Sequence, residues 1–146
     1  MTTVRQPSII VATFLWVGFI CAISFMEAWL KFQAPGITLS LGLGIGRLVF
    51  DTLNKVEWIF TLSIFLSILI SKDQFFSVKK LFYYLPVIIL IIQTTWLLPA
   101  LDYRAEMHIQ GIEVPQSNLH FYYVGLEALK VISLTIFGIN QFKINK

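Results

Sequence analysis

Four long apolar stretches, separated by polar connections, run along this chain at residues 9–30, 56–70, 81–98 and 119–138. Each stretch approaches or reaches the roughly 17–25 residues that a helix needs to cross a hydrocarbon core about 30 Å thick. The pattern predicts an all-α, polytopic membrane protein built as a bundle of four transmembrane helices in a single domain, residues 1–146. The predicted helices cover about residues 8–32, 52–71, 80–100 and 118–140.

The connection before the second helix is unusual. From residue 41 to residue 71 little in the sequence would break a helix after Gly46. A continuous helix of that length would measure about 45 Å, which exceeds the thickness of a bilayer core. We therefore expect an extra short outer helix or a re-entrant turn around residues 42–54, followed by a bend into the second transmembrane helix.

The composition agrees with a membrane protein and excludes a nucleic-acid-binding one. Hydrophobic residues make up 57% of the chain and charged residues 13%, against about 45–50% and about 25% in soluble domains. The net charge is +3, but the basic residues lie mostly at predicted helix ends and do not cluster with aromatic side chains. The single cysteine, Cys21, excludes an intrachain disulfide.

The basic residues orient the predicted bundle. With four crossings, most of them fall on one side, which the positive-inside rule assigns to the cytoplasm. Those residues are Arg5, Lys72, Lys79, Lys80, Lys143 and Lys146. We therefore expect a multi-pass protein of the cell membrane, a bacterial inner membrane, with cytoplasmic N- and C-termini.

The fourth apolar stretch carries a polar stripe. His120, Tyr123, Glu127 and Lys130 are spaced by three, four and three residues, so on a helix they share one face. Ionisable side chains inside a bilayer are costly and usually face a protein interior or a water-filled cavity, where they mark ligand or ion pathways. The stripe therefore predicts a polar site within the bundle.

Each of the other helices adds polar residues at the same, outer end of the bundle, whereas the inner half stays apolar. This segregation predicts an outward-facing polar pocket with residues from all four helices. The predicted ligand-binding residues are Glu27, Lys31, Arg47, Asn54, Glu57, Asp102, Arg104, His120, Tyr123, Glu127 and Lys130.

Other roles remain open for these residues. Glu27 with Lys31, Arg47 with Asp51, and Glu127 with Lys130 have the spacing of structural ion pairs. A metal site would draw on His120, Glu127, Glu27 and Glu57, but the chain has no Glu-x-x-His or His-x-x-x-His pair, so no metal is expected. No catalytic residue or cofactor is assigned.

Three functions fit this pattern. The first is binding or translocation of a small polar solute or ion. This function is ranked first because lining a vestibule requires a less specific arrangement of residues than catalysis or metal binding does. The second is a membrane-embedded enzyme that acts on an amphiphilic or lipid substrate, with carboxylate and histidine acid–base residues. The third is a structural subunit of a membrane complex. Across these alternatives, the expected partners of the protein are the lipid bilayer, a small polar ligand or ion, and a second copy of the chain or another subunit of a membrane complex.

Two short motifs carry a family resemblance. Residues 29–35, Trp-Leu-Lys-Phe-Gln-Ala-Pro, and residues 44–50, Gly-Ile-Gly-Arg-Leu-Val-Phe, are followed by Asp102-x-Arg104 and by His120. In these features the chain resembles small four-helix membrane proteins of unassigned function, relatives of transmembrane protein 205. They share an Ala-Pro after helix one, a glycine-to-phenylalanine stretch entering helix two, and an arginine-containing loop before a histidine at the start of helix four. The resemblance implies the same four-helix architecture.

Overall fold

A computed structural model of the protein describes residues 2–4, 6–71 and 77–144. Four helices in this part of the chain are long and apolar enough to cross a membrane, and they account for nearly all of its regular structure. Helix α1 spans Pro7–Gln33 and α2 spans Leu39–Ile70. Helix α3 begins at Val78 and ends at Ile109, and α4 spans Leu119–Ile139. The predicted all-α four-helix bundle is confirmed.

The two ends of the bundle differ. A short strand near the N-terminus, β1 (Thr2–Val4), pairs antiparallel with β2 (Phe142–Ile144) near the C-terminus. This pairing puts both termini at one end of the bundle, here named the terminal end. The opposite end, which carries the α1–α2 and α3–α4 connections, is named the loop end. Of the basic residues used to predict orientation, Arg5, Lys72 and Lys146 lie outside the described residues.

Helix α2 corrects the expectation of a separate outer helix or re-entrant turn at residues 42–54. It is one helix of 32 residues, about 48 Å long, so its loop end extends well beyond a hydrocarbon core of about 30 Å. The helix stays continuous because no proline interrupts it and Gly42 and Gly46 pack closely against α1. The Thr38 hydroxyl caps its first turn by accepting from the Leu41 amide.

Helix α3 is also longer than predicted, because it ends at Ile109 and not near residue 100. Asp102 and Arg104 therefore lie on the helix and not in the following loop. The helix stops at Gly111, whose φ of 76° suits the left-handed conformation of a glycine cap. The amide of Gly111 bonds the His108 carbonyl, and the amide of Ile112 bonds the Met107 carbonyl, as in a Schellman motif.

The helices pack in chain order around a common core, but α3 changes partners along its length. Its first part, Val78–Ile92, packs against α4, whereas its last part, Leu98–Ile109, packs mainly against α2. Helix α1 packs against both α2 and α4. The shift of α3 towards α2 leaves room at the loop end of the bundle.

The terminal half of the bundle is filled by apolar side chains. Ile20, Ile64, Leu90, Leu134 and Phe137 are almost completely inaccessible and form part of one core. The outer faces of the same helices are apolar as well. Among the exposed side chains are Leu15, Ile59, Leu62, Ile88 and Ile132. Such extensive apolar exposure on every helix suits contact with lipid rather than water.

Candidate functional site

Three ionisable side chains meet in the interior of the bundle. Lys130 Nζ lies 2.5 Å from Glu57 Oε2 and 3.0 Å from Glu127 Oε1. The side chains of Lys130 and Glu127 are completely buried, and that of Glu57 is 1% exposed. Lys130 and Glu127 lie about 14 Å and about 18 Å along α4 from its end at Ile139, near the middle of a hydrocarbon core. We call these three residues the buried triad.

Two further helices complete the surroundings of the triad. The indole nitrogen of Trp16, on α1, donates to Glu57 Oε2 at 2.7 Å. The amide nitrogen of Gln93, on α3, donates to Glu127 Oε1 at 2.8 Å. Glu57 Oε2 therefore accepts from both a lysine and an indole. Glu127 Oε2 is buried, and Tyr123 is its one candidate partner among the described residues. All four helices contribute to this cluster.

Two of the helices widen where they approach the site. Residues Cys21–Glu27 of α1 and Gln93–Leu97 of α3 adopt π-helical geometry. π-Turns are rare and frequently occur at functional sites, because the wider turn changes the direction of its side chains. Here the first π-helical segment carries the buried Ser24 and the second carries Gln93. Within the part of the chain that the structure describes, Gln93 Oε1 is buried without a hydrogen-bond partner, and Ser24 Oγ is buried with Tyr123 as its one candidate partner.

A chamber of about 770 Å³ lies at the loop end, above the triad. Its walls come from the end of α1, the first part of α2, the last part of α3 and the start of α4. The predicted site residues that line it are Lys31, Arg47, Asn54, Asp102, His120 and Tyr123. Most of the remaining wall is apolar, including Phe32, Leu43, Phe50, Leu98 and Leu101.

Tyr123 connects the chamber with the triad. It lines the chamber, its side chain is nearly fully buried, and it interacts with both Ser24 and Glu127. The ring of Phe50 packs edge-on against it with ring centroids 5.3 Å apart. Tyr123 is therefore the residue that both lines the chamber and contacts Glu127 of the triad.

Arg47 is held by α3 and not by its own helix. Its guanidinium bonds both oxygens of Asp102, at 2.6 and 3.1 Å, and also contacts Glu106. The expected pairing of Arg47 with Asp51 is wrong, because Asp51 pairs with Lys55 at 2.6 Å on the exposed side of α2. A bidentate arginine–carboxylate pair fixes orientation, so this contact ties α2 to α3 at the mouth of the chamber.

Lys31 belongs to the part of the chamber wall that α1 supplies. It forms the expected pair with Glu27, at 3.1 Å, and its ammonium lies 5.5 Å from the ring centroids of both Phe32 and Phe50. The close approach depends on Gly46, where an added Cβ would lie 3.3 Å from Lys31 Nζ. The lysine is thus held against apolar rings with its charge matched by one carboxylate.

Asn54 joins a small neutral network between α2 and α3. Its amide nitrogen donates to Thr94 Oγ1 at 2.9 Å, and the Trp58 indole nitrogen reaches the same oxygen at 3.0 Å. Thr94 belongs to the π-helical segment of α3 and also donates to the Leu90 carbonyl at 2.7 Å. This network forms the polar part of the wall between the chamber and the apolar core.

Two predicted residues take part less directly. Arg104 does not line the chamber, because its guanidinium contacts the Pro115 carbonyl and so holds the loop that precedes α4. His120 lines the chamber but is exposed at its mouth. The predicted site residues therefore fall into three groups. Glu57, Glu127 and Lys130 form the buried triad. Six others line the chamber, and Glu27 pairs with one of them, Lys31. Arg104 belongs neither to the triad nor to the chamber wall.

Four residues important to this arrangement were absent from the predicted set: Trp16, Ser24, Gln93 and Glu106. A tryptophan within an apolar stretch is a usable signal, since a buried indole N–H usually finds an acceptor. Gln93 and Ser24 are polar residues at membrane depth, which is also a signal. Glu106 could not be placed, because the predicted helix ended before it.

The oxygen-rich site is unlike a transition-metal centre. Within residues 2–4, 6–71 and 77–144, no group of three or more histidine, cysteine, aspartate or glutamate side chains could hold a metal ion. With all three groups ionised, the triad carries two negative charges and one positive charge, a net charge of −1. No protein-family model, curated protein or solved structure matches this chain.

Proposed function

We propose that this protein binds a small polar solute or ion in the chamber at its loop end. The observation that carries the proposal is the chamber wall, in which the charged side chains of Lys31, Arg47 and Asp102 lie among apolar residues. The chamber also has the volume typical of small-molecule sites, about 300–1,000 Å³.

The packing favours binding over open passage. Below the triad, towards the terminal end, Ile9, Ile64, Leu90 and Leu134 close the interior, and none of them is more than 2% exposed. Translocation would therefore require the helices to move apart. We further propose that the chamber opens to the outside of the cell, since Lys72, Lys79 and Lys80 lie in or beside the α2–α3 connection at the other end.

A chamber-filling variant tests this function. Ala105 lines the chamber, and Ala105→Trp would occupy much of it. Purified protein in nanodiscs would be screened by thermal shift and native mass spectrometry against inorganic anions, ammonium, short carboxylates and amino acids. The matched control is Val11→Trp, at a lipid-facing position that is 57% exposed.

We expect at least one solute to bind the wild type and Val11→Trp but not Ala105→Trp. Equal binding by all three proteins, or no binding by the wild type, would overturn the proposal. Flux through proteoliposomes that contain the wild type would show that the ligand also passes the apolar core.

A membrane-embedded enzyme is the second candidate. It is favoured by the apolar wall of the chamber, including Leu98 and Leu101, which suits the chain of an amphiphile beside the polar groups. Incubation with phosphatidylethanolamine–phosphatidylglycerol vesicles, followed by lipid mass spectrometry, tests it. A product formed by the wild type and not by Glu127→Gln would favour the enzyme over simple binding.

The third function, a structural subunit whose polar face pairs with partner helices, has the least support. Glu127 and Lys130 are completely buried within one chain, so this face is not available to a partner helix.

A further inference from the structure

The buried triad has an unbalanced charge. Lys130 is closest to Glu57, which also accepts from Trp16. These contacts match the lysine with one carboxylate and satisfy the bound oxygen of Glu57. The second carboxylate, Glu127, shares the same ammonium at 3.0 Å, and within the described part of the chain it has no second ion-pair partner. A buried, uncompensated charge is strongly unfavourable at this depth.

The buried atoms around Glu127 that have at most one candidate partner are oxygens. Gln93 Oε1 is buried without a hydrogen bond, and for Glu127 Oε2 and Ser24 Oγ the Tyr123 hydroxyl is the one candidate partner among the described residues. The side chains of Glu127, Ser24 and Gln93 are at least nine-tenths inaccessible. Gln93 donates its amide nitrogen to Glu127 Oε1, which leaves its carbonyl oxygen as an acceptor. Tyr123 interacts with both Ser24 and Glu127. Carboxylate, amide and hydroxyl oxygens are the ligands that hard cations prefer.

The backbone geometry independently indicates a ligand site beside Glu127. Ser24 and Gln93 lie on different helices, yet each belongs to a π-helical segment. One segment places Gln93 on Glu127, and the other places Ser24 beside Tyr123, which also contacts Glu127. π-Turns are rare and frequently occur at functional sites.

We propose that Glu127, Ser24, Gln93 and Tyr123 form a binding site for one monovalent cation, a proton or Na⁺. Either occupant supplies one positive charge and so neutralises the triad. A proton on Glu127 Oε2 donates a hydrogen bond to one of the neighbouring oxygens, whereas Na⁺ is coordinated by them. Among the described residues, the ionisable groups that face this site are Glu57 from α2, and Lys130 and Tyr123 from α4. Helices α1 and α3 contribute the neutral Ser24 and Gln93. This inference depends on the proposed function in one respect, namely that the cation reaches its site through the chamber.

Two measurements on the full-length protein in nanodiscs separate the occupants. The first is thermal stability as NaCl replaces N-methylglucamine chloride at constant ionic strength and pH. The second is the infrared band of a protonated carboxylic acid as pH is varied without Na⁺. The test variant is Glu127→Gln, and the control is Glu113→Gln, the same change in an exposed loop.

Stabilisation by Na⁺ that is lost in Glu127→Gln and retained in Glu113→Gln identifies a Na⁺ site. A carboxylic-acid band that is lost in Glu127→Gln and retained in Glu113→Gln identifies a proton site. If the wild type shows neither, or if Glu127→Gln retains the signal, the proposal is overturned.

A second variant protects the test against misfolding of Glu127→Gln. Ser24→Ala removes one oxygen without changing charge, and we expect about tenfold weaker Na⁺ binding or a shifted carboxylic-acid band. An unchanged Ser24→Ala would also overturn the site. Ala105→Trp separates the cation site from the chamber proposal. If this variant loses solute binding but keeps the cation signal, both proposals are supported. If it keeps solute binding as well as the cation signal, only the chamber proposal is overturned.

Discussion

Lys130 Nζ lies nearer to Glu57 Oε2, at 2.5 Å, than to Glu127 Oε1, at 3.0 Å. Glu127 is only three residues away on the same helix, whereas Glu57 is 73 residues away on α2. The closest partner of the buried lysine is therefore a tertiary contact, and the local carboxylate is the more distant of the two. This relationship predicts unequal roles for the two carboxylates.

Removal of the lysine charge should be far more costly than neutralisation of Glu127. Lys130→Met leaves two buried carboxylates without a cation, and breaking such a pair costs about 3–5 kcal/mol. Glu127→Gln keeps the Lys130–Glu57 contact and removes the excess charge, so we expect a loss of less than about 1 kcal/mol. Reversible unfolding in mixed micelles measures both.

The contrary outcome is also clear. Equal loss in Glu127→Gln and Lys130→Met, recovered in the double variant, would show a simple Glu127–Lys130 pair in which Glu57 has little influence.

Trp16 should contribute to stability through its indole N–H. Trp16→Phe keeps an aromatic ring but removes the donor to Glu57 at 2.7 Å, so we expect a loss of about 1–3 kcal/mol in the free energy of unfolding. Trp29→Phe is the matched control, because the Trp29 indole donates to the Phe25 carbonyl of its own helix at an exposed position. A loss in Trp29→Phe as large as that in Trp16→Phe would show that the aromatic ring, not its contact with Glu57, matters.

The number and placement of the helices were predictable because apolar length is a direct requirement of the bilayer. The ends were less predictable. Expectations for α2 and α3 assumed that a helix stops where the hydrocarbon core stops, but both continue beyond it. Arg47 and Asp102 explain why: their contact joins these extensions, which stabilise each other outside the apolar region.

The site was predictable in position and only partly in its contacts. Helical spacing placed Tyr123, Glu127 and Lys130 on one buried face, because that face is a local property of α4. The partnership of Lys130 with Glu57 depends on how α4 packs against α2, and spacing along one helix contains no such information. The π-helical segments were missed for the same reason, since no residue pattern in the sequence specified them.

Pro86 and Ser133 form a compensating pair that stability measurements can detect. Proline lacks an amide hydrogen, so Pro86 on α3 cannot bond the carbonyl of Phe82, four residues earlier. The Ser133 hydroxyl on α4 donates to that carbonyl at 2.8 Å. Ser133→Ala should cost about 1 kcal/mol, and less in a Pro86→Ala background, where the new amide satisfies Phe82. The control is Ser63→Ala, whose hydroxyl bonds only within α2, and additive losses in the double variant would contradict the pairing.

Gly42 should be required for closure of the chamber at its α1–α2 edge. A Cβ at this position would lie 2.1 Å from a ring carbon of Phe32, which is closer than real contacts allow. Gly42→Ala therefore forces Phe32 to move away from α2, and we expect a destabilisation of about 1–3 kcal/mol with increased reactivity of a cysteine probe at position 31.

Gly44→Ala is the matched control, since nothing lies within 4 Å of its added Cβ. Replacement of glycine by alanine within a helix stabilises it by about 1 kcal/mol when no clash occurs, so opposite signs for these two variants are expected. The same sign and size at both positions would show that Phe32 does not pack against Gly42.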